Sequence, residues 1–155
     1  MASTVTTATM TVTVSESIAL NGKNQGSINT LVIPVIANIS KRIVNVPASE
    51  VEIIAMSSAV GSGTFITADT LYIRITNLDG DNHVTLTFKS AGNHEFAVKL
   101  DKGQSFIYNG DLAGGAAATM DASASALSLS LADLVNVTAI ADTAACDLDV
   151  FVACD

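Results

Sequence analysis

At 155 residues the chain suits one domain, long enough to bury roughly 70% of the surface its unfolded form exposes. Hydrophobic residues make up 49% and charged residues only 14%, with 5% aromatics and no Trp, so the apolar material is mainly Ala, Val, Ile and Leu, suited to close-packed sheet faces. Seven Lys and Arg against fifteen acids leave a net charge of −8, and the bases are scattered singly apart from Lys41-Arg42, which excludes the basic patch that nucleic acid or an anionic membrane requires.

The chain opens Met-Ala-Ser-Thr-Val-Thr-Thr, without the basic stretch and continuous apolar core of a secretory signal. The longest apolar run, Leu31–Ala37, is far too short to span a bilayer and contains Pro34. Low charge with abundant Ser and Thr suits contact with other protein, and so an assembly component more than a freely diffusing enzyme.

Residues 3–20 alternate Thr or Ser with Val, Met, Ile and Ala, which reads as a long strand or N-terminal β-arm over residues 1–20. The arm ends at Asn21-Gly22, a turn signal, and is able to pair within its own sheet or with a neighbouring subunit. Ser27–Ile33 reads as a second strand; Pro34, lacking an N–H, must sit at an edge, a bulge or a break. Ile36–Val46 continues in β character and carries Lys41-Arg42, and Pro47-Ala-Ser-Glu50 turns the chain. Val51–Met56 is a further strand by its branched residues, with a short helix as the competing reading. Ser57–Asp69 is mostly loop, with Thr64–Thr67 as a short edge strand.

Leu71, Ile73 and Ile75 alternate with Tyr72, Arg74 and Thr76; beyond an Asn, Asp and Gly turn, Val84, Leu86 and Phe88 alternate with Thr85 and Thr87. Phe96, Val98 and Leu100 alternate with Ala97 and Lys99, and after Asp101-Lys-Gly103 the strand resumes over Gln104–Tyr108. This period of two predicts two consecutive hairpins sharing one buried face, which other segments must cover with a second layer. The small-residue stretch Asn109–Ser123 reads as a connecting segment and a place for partner contact. Residues 126–140 return to β character, and residues 145–153 close the chain as a last strand. About eight to ten strands joined by short turns point to an all-β fold in one domain, 1–155: an antiparallel β-sandwich or jelly roll.

The order Tyr72-Ile-Arg-Ile-Thr-Asn77-Leu-Asp79, Val84-Thr-Leu86 and Phe96-Ala-Val-Lys-Leu100-Asp-Lys-Gly103-Gln-Ser-Phe106 resembles small β-sandwich virion proteins of tailed bacteriophages. In those, a strand ending in Asn precedes a polar turn, and a later Leu-x-x-Gly turn leads into an aromatic strand. The resemblance runs more weakly through Ala139–Ala145 into Cys146-Asp-Leu-Asp-Val-Phe-Val152, covering roughly the last half of the chain. It implies a structural protein located on a virion assembled in the host cytoplasm, oligomeric and by analogy trimeric, with a major capsid or tail protein as partner. These motifs belong to the fold and carry no chemistry.

Ala144, Cys146, Leu148, Val150, Val152 and Cys154 share parity on one strand, so the two thiols face one way. Eight residues of strand separate them by roughly 26 Å, far beyond disulfide reach. Buried thiols are expected, with an intersubunit bridge through Cys154 as the alternative.

The search for chemistry returns bland explanations. His83 and His94 meet no metal-ligand spacing and read as turn residues, although a hairpin bringing them together beside Glu95 or Asp81 would be a metal site. Asp79-Gly-Asp-Asn82 lacks the Gly and Glu positions of a calcium loop, and turn geometry accounts for it. Ser62 between two glycines is half of a nucleophile motif without its base. No catalytic residue, metal or cofactor is assigned. The candidates are partner contacts: Thr11 and Thr13 on the arm, Lys41 and Arg42, the aromatic Tyr72 and Tyr108, and Leu112 and Met120 in the small-residue segment. The expectation is a non-enzymatic phage structural protein, a capsid decoration protein before a tail- or fibre-associated one. The rival is a glycan- or receptor-binding module stacking sugars on Tyr72, Phe106 and Tyr108.

Overall fold

The computed structural model describes residues 5–92, 94–108 and 132–155. They form two compact units, one reaching Asn38 and including Asp155, the other Ile39–Cys154. Among the described residues nearly all of the regular structure is strand, with a single 3-10 turn at Thr67–Asp69.

The first unit is a two-stranded antiparallel ribbon in which β1 (Ala8–Ser15) pairs with β4 (Ile28–Ile36). Between them β2 (Ala19–Leu20) and β3 (Lys23–Asn24) form a small hairpin. Its turn is Asn21-Gly22, both residues at positive φ (50° and 75°), the combination that a two-residue hairpin requires. The N-terminal arm is therefore a folded-back ribbon, and the second expected strand is its other half. Pro34 lies in a bulge where the register shifts between Ala8 and Met10, and Val35 beside it takes φ 63°.

The second unit is a sandwich. One sheet has the order β11-β8-β13-β5, from β5 (Asn38–Val46), β8 (Thr70–Asn77), β11 (Ser105–Tyr108) and β13 (Cys146–Cys154). The other has the order β10-β9-β12-β6-β7, from β6 (Val51–Ser57), β7 (Thr64–Ile66), β9 (Val84–Ser90), β10 (Glu95–Leu100) and β12 (Leu134–Ala141). With β7 set aside, lettering the other eight B to I in chain order makes the sheets B-I-D-G and C-H-E-F, the jelly roll. The pairs with a described register are antiparallel except β6 with β7, which is parallel.

This topology corrects one expectation. Strands 71–76 and 84–88 are not a hairpin: β8 and β9 lie in opposite sheets, as do β10 and β11, and the hairpin is β9 with β10. Period two fixes which side of a strand is apolar and leaves open whether its successor lies beside it or across the core.

The interior is lined by Ile73, Ile75, Leu148, Val150 and Val152 from one sheet and Ile54, Val84, Leu86, Phe88 and Val137 from the other. Phe88 stacks on its cross-strand partner Phe96 at 4.8 Å and meets Phe106 and Tyr108, from the opposite sheet, at 4.9 and 5.8 Å. Aromatic contacts thus join the layers where Ala and Val alone would leave the interior underfilled.

Candidate assembly surface

Antiparallel ladders alternate, so one hydrogen bond sets the pattern for the ribbon. The N–H of Glu16 donates to the carbonyl of Ser27 at 2.8 Å. Val14 opposite Asn29, Val12 opposite Leu31 and Met10 opposite Ile33 are then the mutually bonded pairs. The N–H groups of Thr9, Thr11, Thr13 and Ser15 point to the other edge of β1. That edge has no partner strand among the described residues.

Apolar side chains sit on the ribbon in the open. Ile28 is 71% exposed, Leu20 61% and Val32 58%; Val14, Ile18 and Val35 are exposed as well. A two-stranded ribbon is marginally stable alone in water, so one with open edges and bare Ile and Val has the character of a docking element.

The sandwich surface also carries exposed apolar residues, Ile39, Ile43, Val60 and Leu78 among them, but its polar groups engage one another. On the outer face of one sheet Arg74 donates to Asp149 at 2.9 Å and sits 5.9 Å from the centre of the Phe151 ring, while Lys41 approaches Asp149 at 4.0 Å. Asn45 donates to Asp147 at 2.8 Å. On the other sheet Lys89 meets Glu50 at 2.6 Å and Asn136 donates to Glu52 at 2.9 Å. The Lys89 ammonium, by hydrogen bond and charge, holds the Glu50 carboxyl below its ordinary range.

Thr11 and Thr13 are exposed on β1, where a partner strand could reach them. Lys41 is exposed but faces Asp149. Arg42 has another role: its guanidinium donates to the carbonyl of Ile53. Ile53 is the extra residue of a bulge in β6, where Val137 pairs with Ile54 and Thr138 with Glu52, so Arg42 supplies a partner to backbone displaced from the ladder. Tyr72 is only 3% exposed, packed edge-on to Phe151 at 6.1 Å. Tyr108 stacks on Phe88 and Phe106 meets it at a tilt, both half-buried against the core, so these rings form no exposed platform for sugars. Leu112 and Met120 lie outside the described residues. Sequence reasoning missed Ile28 and Val32, because Ile28-Asn29-Thr30-Leu31-Val32 shows no strict alternation and branched residues in a strand read as buried.

His83 and His94 flank opposite ends of β9 and cannot share a ligand: Val84 pairs with Leu100 and Lys89 with Glu95. His83 Nδ1 instead approaches Asp142 at 3.6 Å. Among the described residues no three His, Cys, Asp or Glu converge as a metal site. Asp79 spends one carboxylate oxygen on the N–H groups of Asp81 and Asn82, at 2.8 and 2.7 Å, which depress its pKa and account for the Asp79–Asn82 turn. Cys146 and Cys154 stand at the two ends of β13, both buried.

No family model and no curated protein matches the chain. One solved structure, described as "Bacillus endospore appendages form a novel family of disulfide-linked pili", is similar at 16% identity and a TM-score of 0.43, over 76% of this chain and 81% of that one. Likeness at that level says nothing about function.

Proposed function

We propose that the protein is a non-enzymatic structural subunit of a tailed-phage virion, a capsid decoration protein that joins its particle through the N-terminal ribbon. The observation that carries the assembly part of this reading is the ribbon itself: a separate compact unit with bare Ile, Leu and Val and a strand edge that has no partner among the described residues. The virion and the decoration role rest on the resemblance in the strand and turn motifs of residues 72–106.

The jelly roll is compatible with this role, since its interior is filled by side chains and its outer polar groups bond to one another. Cosedimentation with purified phage capsids lacking the protein tests the reading. Saturable binding, with added density on the capsid surface by electron microscopy, is expected. A protein that stays in the supernatant, or one located in the tail, overturns the decoration role.

A further inference from the structure

We propose that β1 of one copy pairs edge to edge with β1 of a second copy, joining two ribbons into one four-stranded antiparallel sheet. This rests on the reading of the ribbon as an assembly element and names its partner and mode. Three observations converge on it.

The first is which edges are guarded. Proteins protect exposed strand edges with charges, Pro, bulges or shortness. In the sandwich, β5 carries Lys41 and Arg42, β10 carries Glu95 and Lys99, β11 has four residues and β7 three. In the ribbon, the ladder alternation that turns Thr9, Thr11, Thr13 and Ser15 outward on β1 turns Ile28, Thr30, Val32 and residue 34 outward on β4. Residue 34 is Pro, with no N–H to offer, and the bulge at Val35 follows. The β4 edge is therefore blocked near its end. The β1 edge, Ala-Thr-Met-Thr-Val-Thr-Val-Ser, holds eight residues with no charge and no Pro.

The second is charge. Between Val5 and Asn38 the chain has one acid, Glu16, and one base, Lys23, while the other six bases and fourteen acids fall between Ile39 and Asp155. The ribbon's own strands and turns are neutral, Asp155 adds one negative charge to their unit, and −7 lies in Ile39–Cys154. Two copies repel through their sandwiches, so the ribbon is where they can approach without juxtaposing like charges.

The third is self-complementarity. Among the described residues the β1 edge is clear along its whole length and the β4 edge only as far as Pro34, so the same strand on both partners gives a closed twofold contact, whereas pairing β1 with β4 of another copy would run into Pro34. In the joined sheet, Met10, Val12 and Val14 of both copies line one face, and four strands supply the stability that two lack.

The test is sedimentation equilibrium of the full chain and three variants. Thr13→Pro removes an outward N–H and leaves the bonds to β4 in place; because a twofold contact loses it twice, association should weaken about tenfold or more. Val12→Pro, whose N–H bonds to Leu31, should open the ribbon and abolish association. Ile28→Lys alters an exposed side chain on β4 and should leave the dimer intact, and far-ultraviolet circular dichroism confirms that each sandwich folds. Wild-type protein that stays monomeric at every concentration overturns the proposal while leaving attachment to a capsid open. Loss of association in Ile28→Lys but not in Thr13→Pro overturns edge pairing and retains the ribbon as the docking element. Unchanged association in all three variants removes both readings.

Discussion

The side-chain amide of Asn77 donates to the carbonyl of Leu100 at 3.2 Å, tying the end of β8 to the end of β10 in the opposite sheet. The same amide donates to the carbonyl of Asn82 at 2.9 Å, and its oxygen accepts from the N–H of Asp79 at 2.9 Å. The backbone of Asn77 meanwhile donates to Gln104 and accepts from Gly103. One fully buried residue thus satisfies two of the connections that cross between the sheets, β8 to β9 and β10 to β11. Asn77→Ala would leave buried backbone groups without partners and should cost about 2–3 kcal/mol. Asn77→Asp, which keeps the acceptor but offers carboxylate to two carbonyl oxygens, should cost at least as much. Urea unfolding decides: a lower midpoint at unchanged slope is expected, and a midpoint within error of wild type would show that Asn77 does not hold the crossings.

The strand content was legible because alternation survives wherever a strand has one buried face, as along Val84–Ser90. The Asn21-Gly22 turn was legible too, and Pro34 narrowed its own place to an edge, a bulge or a break, of which the structure shows the bulge. What alternation could not supply was sheet membership: Leu71, Ile73 and Ile75 would face inward in a hairpin with Val84–Phe88 or across the core from it. The Ile53-Ile54 doublet, which breaks the alternation of Val51–Met56, comes from the bulge that buries both residues. Arg42 belongs with it, since a single Lys-Arg pair looks like surface until the displaced carbonyl it bonds is known. Of the candidate contacts, Thr11 and Thr13 lie on the exposed ribbon. Tyr72 is buried against Phe151 on the outer face of its sheet, and Tyr108 packs on Phe88, because aromatic area in a chain without Trp is needed for packing.

Phe88 should be the costliest core residue to truncate. It is fully buried and touches three aromatic rings, two of them from the opposite sheet. Phe88→Ala should lose about 3–5 kcal/mol, and Phe88→Leu clearly less because the smaller cavity is partly refilled. Chemical denaturation of the pair checks the order; equal losses would mean that the interior collapses around the site.

Two positions in the ribbon make opposite predictions. At Gly26 an added methyl group would collide with the Glu16 carbonyl, so Gly26→Ala should open the ribbon beside the Glu16–Ser27 bond. Val35 holds φ 63°, where a branched side chain costs roughly 1–2 kcal/mol, so Val35→Gly should recover part of that strain. Amide hydrogen exchange over residues 8–36 reads both: faster exchange in the first and slower in the second, with the sandwich unaltered. Matching behaviour in the two variants would sink the bulge argument.

Stability should fall at both ends of the pH range for separate reasons. Burial first, then Asp79, Asp142 and Asp147, push the Cys146 thiol pKa up, and the thiol donates to the Ala144 carbonyl at 3.5 Å. With its folded pKa above the unfolded one, this group's stabilisation is present below the ordinary thiol range and is lost as pH rises through the folded value. Burial of Tyr72 and Tyr108 acts in the same direction at higher pH. Asp79 is the reverse case: two backbone N–H groups hold its pKa down, so its contribution is present above the ordinary carboxylate range and lost as pH falls through the folded value. Cys146→Ala should therefore flatten the decline between about pH 8 and 9.5, before tyrosine titrates. Asp79→Asn should soften the acid decline without removing it, because Glu50, held down by Lys89, persists. Unfolding midpoints measured against pH settle the assignment; an alkaline decline unchanged in Cys146→Ala would place its origin in other groups.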